Sequence, residues 1–189
     1  LRAHNNLGVV LYNMGWSGDA AAQFMEDAAE SFGKAKAIKE HDIIMNNLGA
    51  IALRAGDLED AKALFTASMG AGPKVNYNLG IVSIMQGDYE AAVNYFGSEP
   101  SFNAALAKYL KGDSEGAWRM AANLEKRGGM GYYLLAVIAA GQDKPEAAYE
   151  NLQLAVENCG SAQYIKDRAK KDLEFAKLFE TPEFKAIVE

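Results

Sequence analysis

Residues 47–65 read NLGAIALRAGDLEDAKALF, and residues 78–96 repeat the arrangement as NLGIVSIMQGDYEAAVNYF. In both stretches a Gly-Asp pair begins nine residues after the asparagine, and apolar residues between them fall at helical spacing. The glycine can end a helix because it adopts the left-handed backbone conformation at little cost, and the aspartate can cap the helix that follows. Each stretch therefore predicts two helices joined by a tight turn, which is a helical hairpin.

Weaker copies of the phrase extend the pattern along the chain. They begin at Asn6 and Asn103, so the four asparagines lie 41, 31 and 25 residues apart. Glycines at 15, 56, 87 and 112 keep the same intervals, and Gly141 followed by Gln142-Asp143 marks a fifth copy. A fixed phrase that recurs in this way is the signature of a repeat architecture. The sequence thus predicts an all-α chain of about five antiparallel helix hairpins.

The unequal intervals predict irregular hairpins. We assign the extra residues of the longest interval to residues 31–42 and expect longer helices on either side of them. The short interval around residues 97–100 predicts short helices, and the glycines of residues 128–131 predict a loose turn. The mid-helix glycines Gly8 and Gly49 are expected to admit a neighbouring helix.

The Leu-Gly pair, the turn Gly-Asp-Leu/Tyr-Glu and the Ala…Phe positions after it resemble the tetratricopeptide repeat family, whose units are helix–turn–helix repeats. The resemblance covers roughly residues 1–158 and implies an α-solenoid that forms a right-handed superhelix. Residues 159–189 are expected to form C-terminal capping helices, because a terminal repeat must cover an otherwise exposed apolar face. The tail also resembles the one that ends many bacterial arrays of this family.

Two helices are predicted in the capping segment. Ser161 can cap a long helix with one apolar face, and Thr181-Pro182 is a typical helix start, with threonine as the cap and proline in the first turn. The final helix carries Phe184, Ile187 and Val188. The apolar face of the longer helix is predicted to comprise Ile165, Ala169, Leu173, Ala176 and Phe179.

The resemblance also implies a ligand groove, because in this family the first helix of each repeat lines a concave face. Asparagines at the ladder position often bond the backbone of an extended peptide there, and an amide offers both a donor and an acceptor. The alternative is that these asparagines serve local hydrogen bonding. The predicted groove residues are Asn6, Val9, Tyr12, Asn47, Leu53, Arg54, Lys74, Tyr77, Asn78, Ile81, Ile84, Phe102 and Asn103.

This predicted groove is apolar and aromatic, which favours an apolar protein or peptide segment as its ligand. In the fourth copy we favour the alternative that short helices turn Phe102 and its neighbours into core. The carboxylate clamp of chaperone-binding members has five positions, and only Asn47 and Lys74 match here. Binding of an acidic C-terminus is therefore not expected.

Composition excludes several other functions. A net charge of −6 without a basic block predicts no binding to nucleic acid, and no apolar run is long enough to predict membrane insertion. The chain has one cysteine and two histidines without a known catalytic or metal-binding spacing, so we predict no enzyme, no cofactor and no metal.

Two functional hypotheses remain. The first is a non-catalytic interaction scaffold that holds a protein segment in the groove. The alternative is a structural spacer within a larger cell-envelope protein, packed on its own neighbouring domains. The start at Leu1 favours a piece of a longer precursor, and the bacterial tail favours the periplasm or envelope over the cytoplasm. Partner and oligomeric state are not predicted.

Overall fold

The fold was analysed in a computed structural model that describes residues 1–14, 18 and 20–189. Throughout these ranges the regular secondary structure is helical, with twelve α-helices and two short 3₁₀ helices. The predicted all-α fold class is confirmed. The chain divides into two compact units, Leu1–Phe96 and Gly97–Glu189, which we call the N-terminal unit and the C-terminal unit.

The N-terminal unit consists of three helical hairpins. In each hairpin the two helices contact each other, and the second helix of one hairpin also contacts the first helix of the next. The helices are α1 (Arg2–Met14), α2 (Ala21–Ile38), α3 (Asp42–Ala55), α4 (Leu58–Ala67), α5 (Lys74–Met85) and α6 (Tyr89–Phe96), with a 3₁₀ helix at Met69–Ala71.

The C-terminal unit has two further hairpins and three short elements that contact α9 and α10. Helix α9 is its centre, since every residue from Tyr133 to Ala140 is buried. The elements are α7 (Phe102–Leu110), α8 (Ser114–Ala122), α9 (Gly128–Gly141), α10 (Pro145–Glu157), α11 (Ala162–Ala169), a 3₁₀ helix at Leu173–Phe175 and α12 (Pro182–Val188).

The predicted Gly-Asp turns close three of the hairpins. Gly56 has a φ of 83°, in the left-handed region, and the side chain of Asp57 accepts a hydrogen bond from the backbone N–H of Asp60. The prediction is confirmed at these turns, because the same conformation and cap recur at Gly87-Asp88 and Gly112-Asp113.

The other two turns do not follow this form. Gly141 is still the last residue of α9, and the left-handed residue is Asp143, with a φ of 55°. The expected left-handed stop at Gly141 is therefore wrong. The left-handed residue comes two positions later, at Asp143. Aspartate tolerates the left-handed region better than most residues. The expected stop at Gly15 lies outside the described residues.

A glycine in each first helix of the N-terminal unit lets the two helices of its hairpin pack closely. A Cβ added at Gly49 would lie 2.7 Å from the ring of Phe65, which is fully buried. A Cβ at this distance would force the phenylalanine ring to shift, so these positions favour glycine. The same arrangement pairs Gly8 with Phe32 and Gly80 with Phe96, each at 2.6 Å.

The glycine–phenylalanine pairs show that the extra residues of the 41-residue interval were predicted at the wrong place. Phe65 and Phe96 each lie nine residues after the turn glycine, whereas Phe32 lies seventeen residues after Gly15. Most of the additional length therefore precedes Phe32, and the assignment to residues 31–42 is wrong. Helix α2 is long, as expected, with 18 residues.

The structure confirms the short helices beside residues 97–100, since α6 has 8 residues and α7 has 9. The loose turn predicted at residues 128–131 is wrong, because α9 begins at Gly128. A Cβ at Gly129 would lie 2.6 Å from Cβ of Cys159. Gly129 thus allows close packing beside the end of α10, while Gly128 has a φ of 58°, in the left-handed region.

The capping segment is more broken than predicted. Ser161 caps α11 through the backbone N–H of Tyr164, but the helix ends at Ala169. Leu173 and Ala176 are exposed and Phe175 is buried instead, so the single continuous apolar face is wrong there, whereas Phe179 is half-buried and packs on the core as predicted. Thr181 caps α12 through the N–H of Phe184, as predicted.

Candidate binding site

The predicted groove residues lie on the first helices of four hairpins, and none is fully buried. In the N-terminal unit they occupy α1, α3 and α5. Asn6 is exposed, and Val9 keeps 39% of its surface accessible. Tyr12, Leu53, Ile81 and Ile84 are half-buried, while Lys74 and Tyr77 are exposed. In the C-terminal unit, Phe102 and Asn103 begin α7 and are half-buried.

Two asparagines of the ladder bond across neighbouring first helices. Nδ2 of Asn47 donates to Oδ1 of Asn5 at 2.9 Å, which joins α3 to α1. Nδ2 of Asn78 donates to Oδ1 of Asn46 at 3.0 Å, which joins α5 to α3. One N–H of Asn47 and one N–H of Asn78 are thus used within the fold. The second N–H and the carbonyl oxygen keep their bonding capacity, so contact with a ligand backbone stays a prediction.

Aromatic residues of this face are held by packing. The ring of Tyr77 meets Phe96 edge-on, with centroids 5.4 Å apart, although 41% of Tyr77 remains exposed. Burial raises the pKa of Tyr12, and the nearby Arg54 opposes that shift. Arg54 also lines a shallow groove of about 430 Å³ between α2 and α3. The remaining lining residues are Ala21, Ala22, Met25, Glu26, Ala29, Ile51 and Ala55.

The C-terminal unit has a cavity of about 330 Å³ that combines an apolar wall with a polar end. Helices α7 and α9 supply the wall, and the charged groups come from Arg168 in α11 and from Asp172 and Glu174 after it. Phe102, predicted for the groove, is part of the wall. We call this space the α7–α9 cavity; it is lined by Phe102, Leu106, Tyr109, Leu110, Met130, Tyr133, Leu134, Val137, Arg168, Asp172 and Glu174.

Two carboxylates form the polar end of the α7–α9 cavity. The hydroxyl of Tyr133 donates to Oδ2 of Asp172 at 2.8 Å. The pKa of Glu174 is raised, chiefly by its hydrogen bond with Asp172 and also by burial. The pKa of Tyr109 is raised by burial and by the charges of Glu174 and Asp172. Asp172 and Glu174 therefore act on the same end of the cavity.

One cation lies at the edge of this group. The guanidinium of Arg168 is 5.3 Å from the ring centroid of Tyr133, and Nη1 bonds the hydroxyl of Tyr164 at 3.3 Å. Two carboxylates against one guanidinium leave the polar end with excess negative charge when both acids are ionised. A positively charged group that entered the cavity would be attracted by both carboxylates.

The end of α11 at Ala169 positions Asp172 and Glu174 at the α7–α9 cavity. The N–H of Asp172 bonds the carbonyl oxygens of Arg168 and Ala169, and the following 3₁₀ helix turns the ring of Phe175 into the core. Phe175 meets Tyr133 edge-on, with centroids 5.8 Å apart. Burial of Phe175 thus holds Asp172 against Tyr133.

The sequence did not single out Tyr133, Arg168, Asp172 or Glu174. Tyr133 lies in a continuous apolar run, and the two acids read as the exposed side of a longer helix. The available signal was the spacing of Phe175, which is out of phase with Ile165 and Ala169 on a continuous helix.

Two further surveys cover the described residues only. Nowhere in them do three or more histidine, cysteine, aspartate or glutamate side chains gather as a metal ion would require. None of their helices is both long enough and apolar enough to cross a bilayer. Comparison of the chain with protein-family models and with curated proteins finds no match in either case.

Proposed function

We propose that this chain is a non-catalytic interaction module of the tetratricopeptide repeat type, which binds a segment of another protein along its first helices. Support for the family comes from the recurring glycine–phenylalanine contact and the Gly-Asp turns, which follow the repeat phrase. Support for binding comes from the half-exposed apolar and aromatic residues of α1, α3 and α5. The α7–α9 cavity is the observation that carries the proposal.

The cavity favours a segment with a basic residue among apolar ones. Its wall can hold the methylene stem of lysine or arginine, as long charged side chains pack their stems on apolar surface. Its end offers the carboxylates of Asp172 and Glu174 to the charged head. A segment with an acidic anchor would meet repulsion there, in line with the incomplete carboxylate clamp.

A pair of peptides tests this preference. Two fluorescent peptides that differ only in a central lysine or methionine between apolar residues should bind with different affinity, the lysine peptide more tightly. In the Asp172→Asn variant the amide oxygen can still accept from Tyr133, but the charge is lost. We expect the lysine peptide to bind about tenfold more weakly to this variant, a change of ~1.4 kcal/mol.

Asp167→Asn is the matched control, because Asp167 is an exposed acid of α11 that accepts from Gln163 and does not line the cavity. It should leave both affinities unchanged. Equal binding of the two peptides to the native chain, or equal loss in both variants, would contradict a basic anchor in the cavity.

The same peptide should show a defined pH dependence. Because the fold raises the pKa of Glu174, this group binds its proton more tightly in the folded chain than at its ordinary value of 4.5. Its contribution to stability is present at low pH and is lost as the pH rises through the raised pKa. Lysine stays charged over this range.

Binding of the lysine peptide should therefore strengthen as the pH rises from about 4.5 towards neutrality, because Glu174 loses its proton and becomes an anion over this range. Titration of peptide affinity against pH measures this change. Glu174→Gln should flatten the curve, with Tyr109, Tyr133 and Arg168 unchanged in charge over the window. A curve of the same steepness in that variant would show that another group titrates.

The alternative function, a structural spacer packed on neighbouring domains, is favoured by a different observation. Leu7, Val10 and Met14 on α1 are large apolar residues with about half of their surface exposed, at 50%, 54% and 49%. A surface of this kind is typical of an interface.

A further inference from the structure

Four residues form an apolar stripe along α1. Ala3, Leu7, Val10 and Met14 follow a three- and four-residue spacing, so they lie on one side of the helix. All four are exposed. We call this surface the α1 stripe. Gly8, on another side, packs on Phe32 of α2, so the exposure does not come from a detached helix.

The repeat provides an internal comparison for the α1 stripe. By the register of the repeat phrase, Val75, Leu79 and Val82 of α5 correspond to Ala3, Leu7 and Val10. Their exposed fractions are 1%, 1% and 0%, against 50% for Leu7 and 54% for Val10. The difference is due to α4, whose Ala61 and Phe65 form one core cluster with the three α5 residues.

In the middle hairpin, the corresponding residues of α3 are buried to an intermediate degree. Ile44, Leu48 and Ile51 of α3 hold the same positions, and α2 contacts α3. Ile44 is 2% exposed, whereas Leu48 and Ile51 are half-buried beside the groove between α2 and α3. Burial at these positions thus follows how completely a preceding second helix covers them.

We propose that the α1 stripe is a docking surface for an amphipathic helix of a partner protein, which packs on α1 as α4 packs on α5. The required helix carries small and aromatic residues four apart, like Ala61 and Phe65. The inference is independent of peptide binding in the α7–α9 cavity.

Met14, the fourth residue of the α1 stripe, indicates which residues the partner helix should carry. The residue that corresponds to Met14 is Gln86, directly after α5, which donates to Glu59 at 2.7 Å and accepts from Lys62 at 3.5 Å, both residues of α4. Methionine cannot replace these hydrogen bonds. The partner helix should therefore carry apolar residues where α4 has Glu59 and Lys62.

The second helices of another copy of the chain do not supply such a helix, so the competing occupant within a dimer is the α1 stripe of that copy, with Ala3 and Leu7 exposed. Each second helix already buries its small and large apolar residues within its own unit, so none has this face available. The buried pairs are Ala28 and Phe32, Ala61 and Phe65, Ala92 and Phe96, Ala117 and Ala121, and Ala148 and Leu152.

The test uses the full chain with a short extension. A copy of residues 57–72, which contains α4 and its link to α5, is joined ahead of Leu1 so that it meets α1 in the register of the repeat. Hydrogen exchange of the α1 amides should slow by about tenfold or more, since two large side chains leave water. Replacement of the copied Lys62 by leucine should slow it further.

The control extension carries aspartate in place of the copied Ala61 and Phe65, and it should leave α1 exchange as in the native chain. Unchanged exchange with the intact copy would overturn the proposal. If the extended chain does not fold, the same segment added as a free peptide should protect α1 in the native chain and not in Val10→Glu; no protection in either would also overturn it.

Sedimentation of the native chain tests the competing occupant. A monomer whose behaviour is unchanged by Val10→Glu agrees with the proposal. A dimer that Val10→Glu dissociates would identify a second copy as the occupant and overturn it. Met69→Glu, at an exposed methionine outside the stripe, is the matched control for added charge.

Discussion

Replacement of Phe175 by alanine is expected to destabilise the C-terminal unit by about 3–5 kcal/mol, the usual cost of removing a buried aromatic side chain. Phe175 is fully buried in one core cluster with residues of α9, α10, α11 and α12. Its ring contacts Tyr133 and also Phe184, at a centroid distance of 5.7 Å. Loss of the ring would leave a cavity between these elements.

Leu173→Ala is the matched control for this substitution. Leu173 belongs to the same 3₁₀ helix but is 80% exposed, so its truncation should change the free energy of unfolding by no more than about 0.5 kcal/mol. Denaturant unfolding measures both variants, and hydrogen exchange shows whether the loss concerns α12. Equal effects of the two substitutions would contradict the assigned burial.

Phe175→Ala should also weaken binding of the lysine peptide, because the ring of Phe175 holds Asp172 against Tyr133. The stability effect and the binding effect can be separated. Asp172→Asn should reduce binding with little loss of stability, whereas Phe175→Ala should reduce both. This contrast distinguishes a contact with the ligand from support of that contact.

The sequence predicted the hairpins because their determinants are local. A glycine with left-handed backbone and an aspartate cap act within a few residues, so Gly56-Asp57 could be recognised from the chain alone. The mid-helix glycines were also recognisable, since they recur with the phrase. Phe32 could not be placed, because the long first interval contains several residues that fit the pattern equally well.

The polar end of the α7–α9 cavity could not be predicted for a different reason. Ile165, Ala169, Leu173 and Ala176 have helical spacing, and no glycine or proline interrupts them. The helix nevertheless ends at Ala169, because burial of Phe175 among distant rings outweighs two more helical turns. Tertiary packing of this kind leaves no periodic signal in the sequence.

The repeat phrase did not predict the hydrogen bonds between asparagine side chains. The phrase pointed to Asn47 and Asn78, while their bonding partners Asn5 and Asn46 come one residue before the phrase positions in the preceding hairpins. Whether an asparagine bonds a neighbour or a ligand depends on the distance between first helices, which only the packed structure provides.

Substitution of Gly80 by alanine should destabilise the N-terminal unit, although alanine is the better helix former. The new methyl group would lie 2.6 Å from the ring of Phe96, inside the hairpin contact. Overpacking costs about 1–3 kcal/mol, while the gain in helix propensity is about 1 kcal/mol. The cost of overpacking is expected to exceed the gain in helix propensity, because the ring of Phe96 also packs against Tyr77 and has little room to move.

Gly33→Ala gives the opposite expectation and serves as the matched control. Gly33 lies within α2, is exposed, and has no other group within 4 Å of an added Cβ. Only the propensity gain applies there, so this variant should be more stable by about 0.5–1 kcal/mol. Thermal or denaturant unfolding of the two variants compares one chemical change in two surroundings.

A compensating variant locates the cost of Gly80→Ala in the contact itself. Phe96→Leu removes the ring edge that the methyl group would meet, so the double variant should recover part of the stability lost in Gly80→Ala. The coupling of the two substitutions, measured as a double-mutant cycle, should be favourable by about 0.5–3 kcal/mol. Purely additive effects would mean that close packing of glycine on phenylalanine does not hold these helices together.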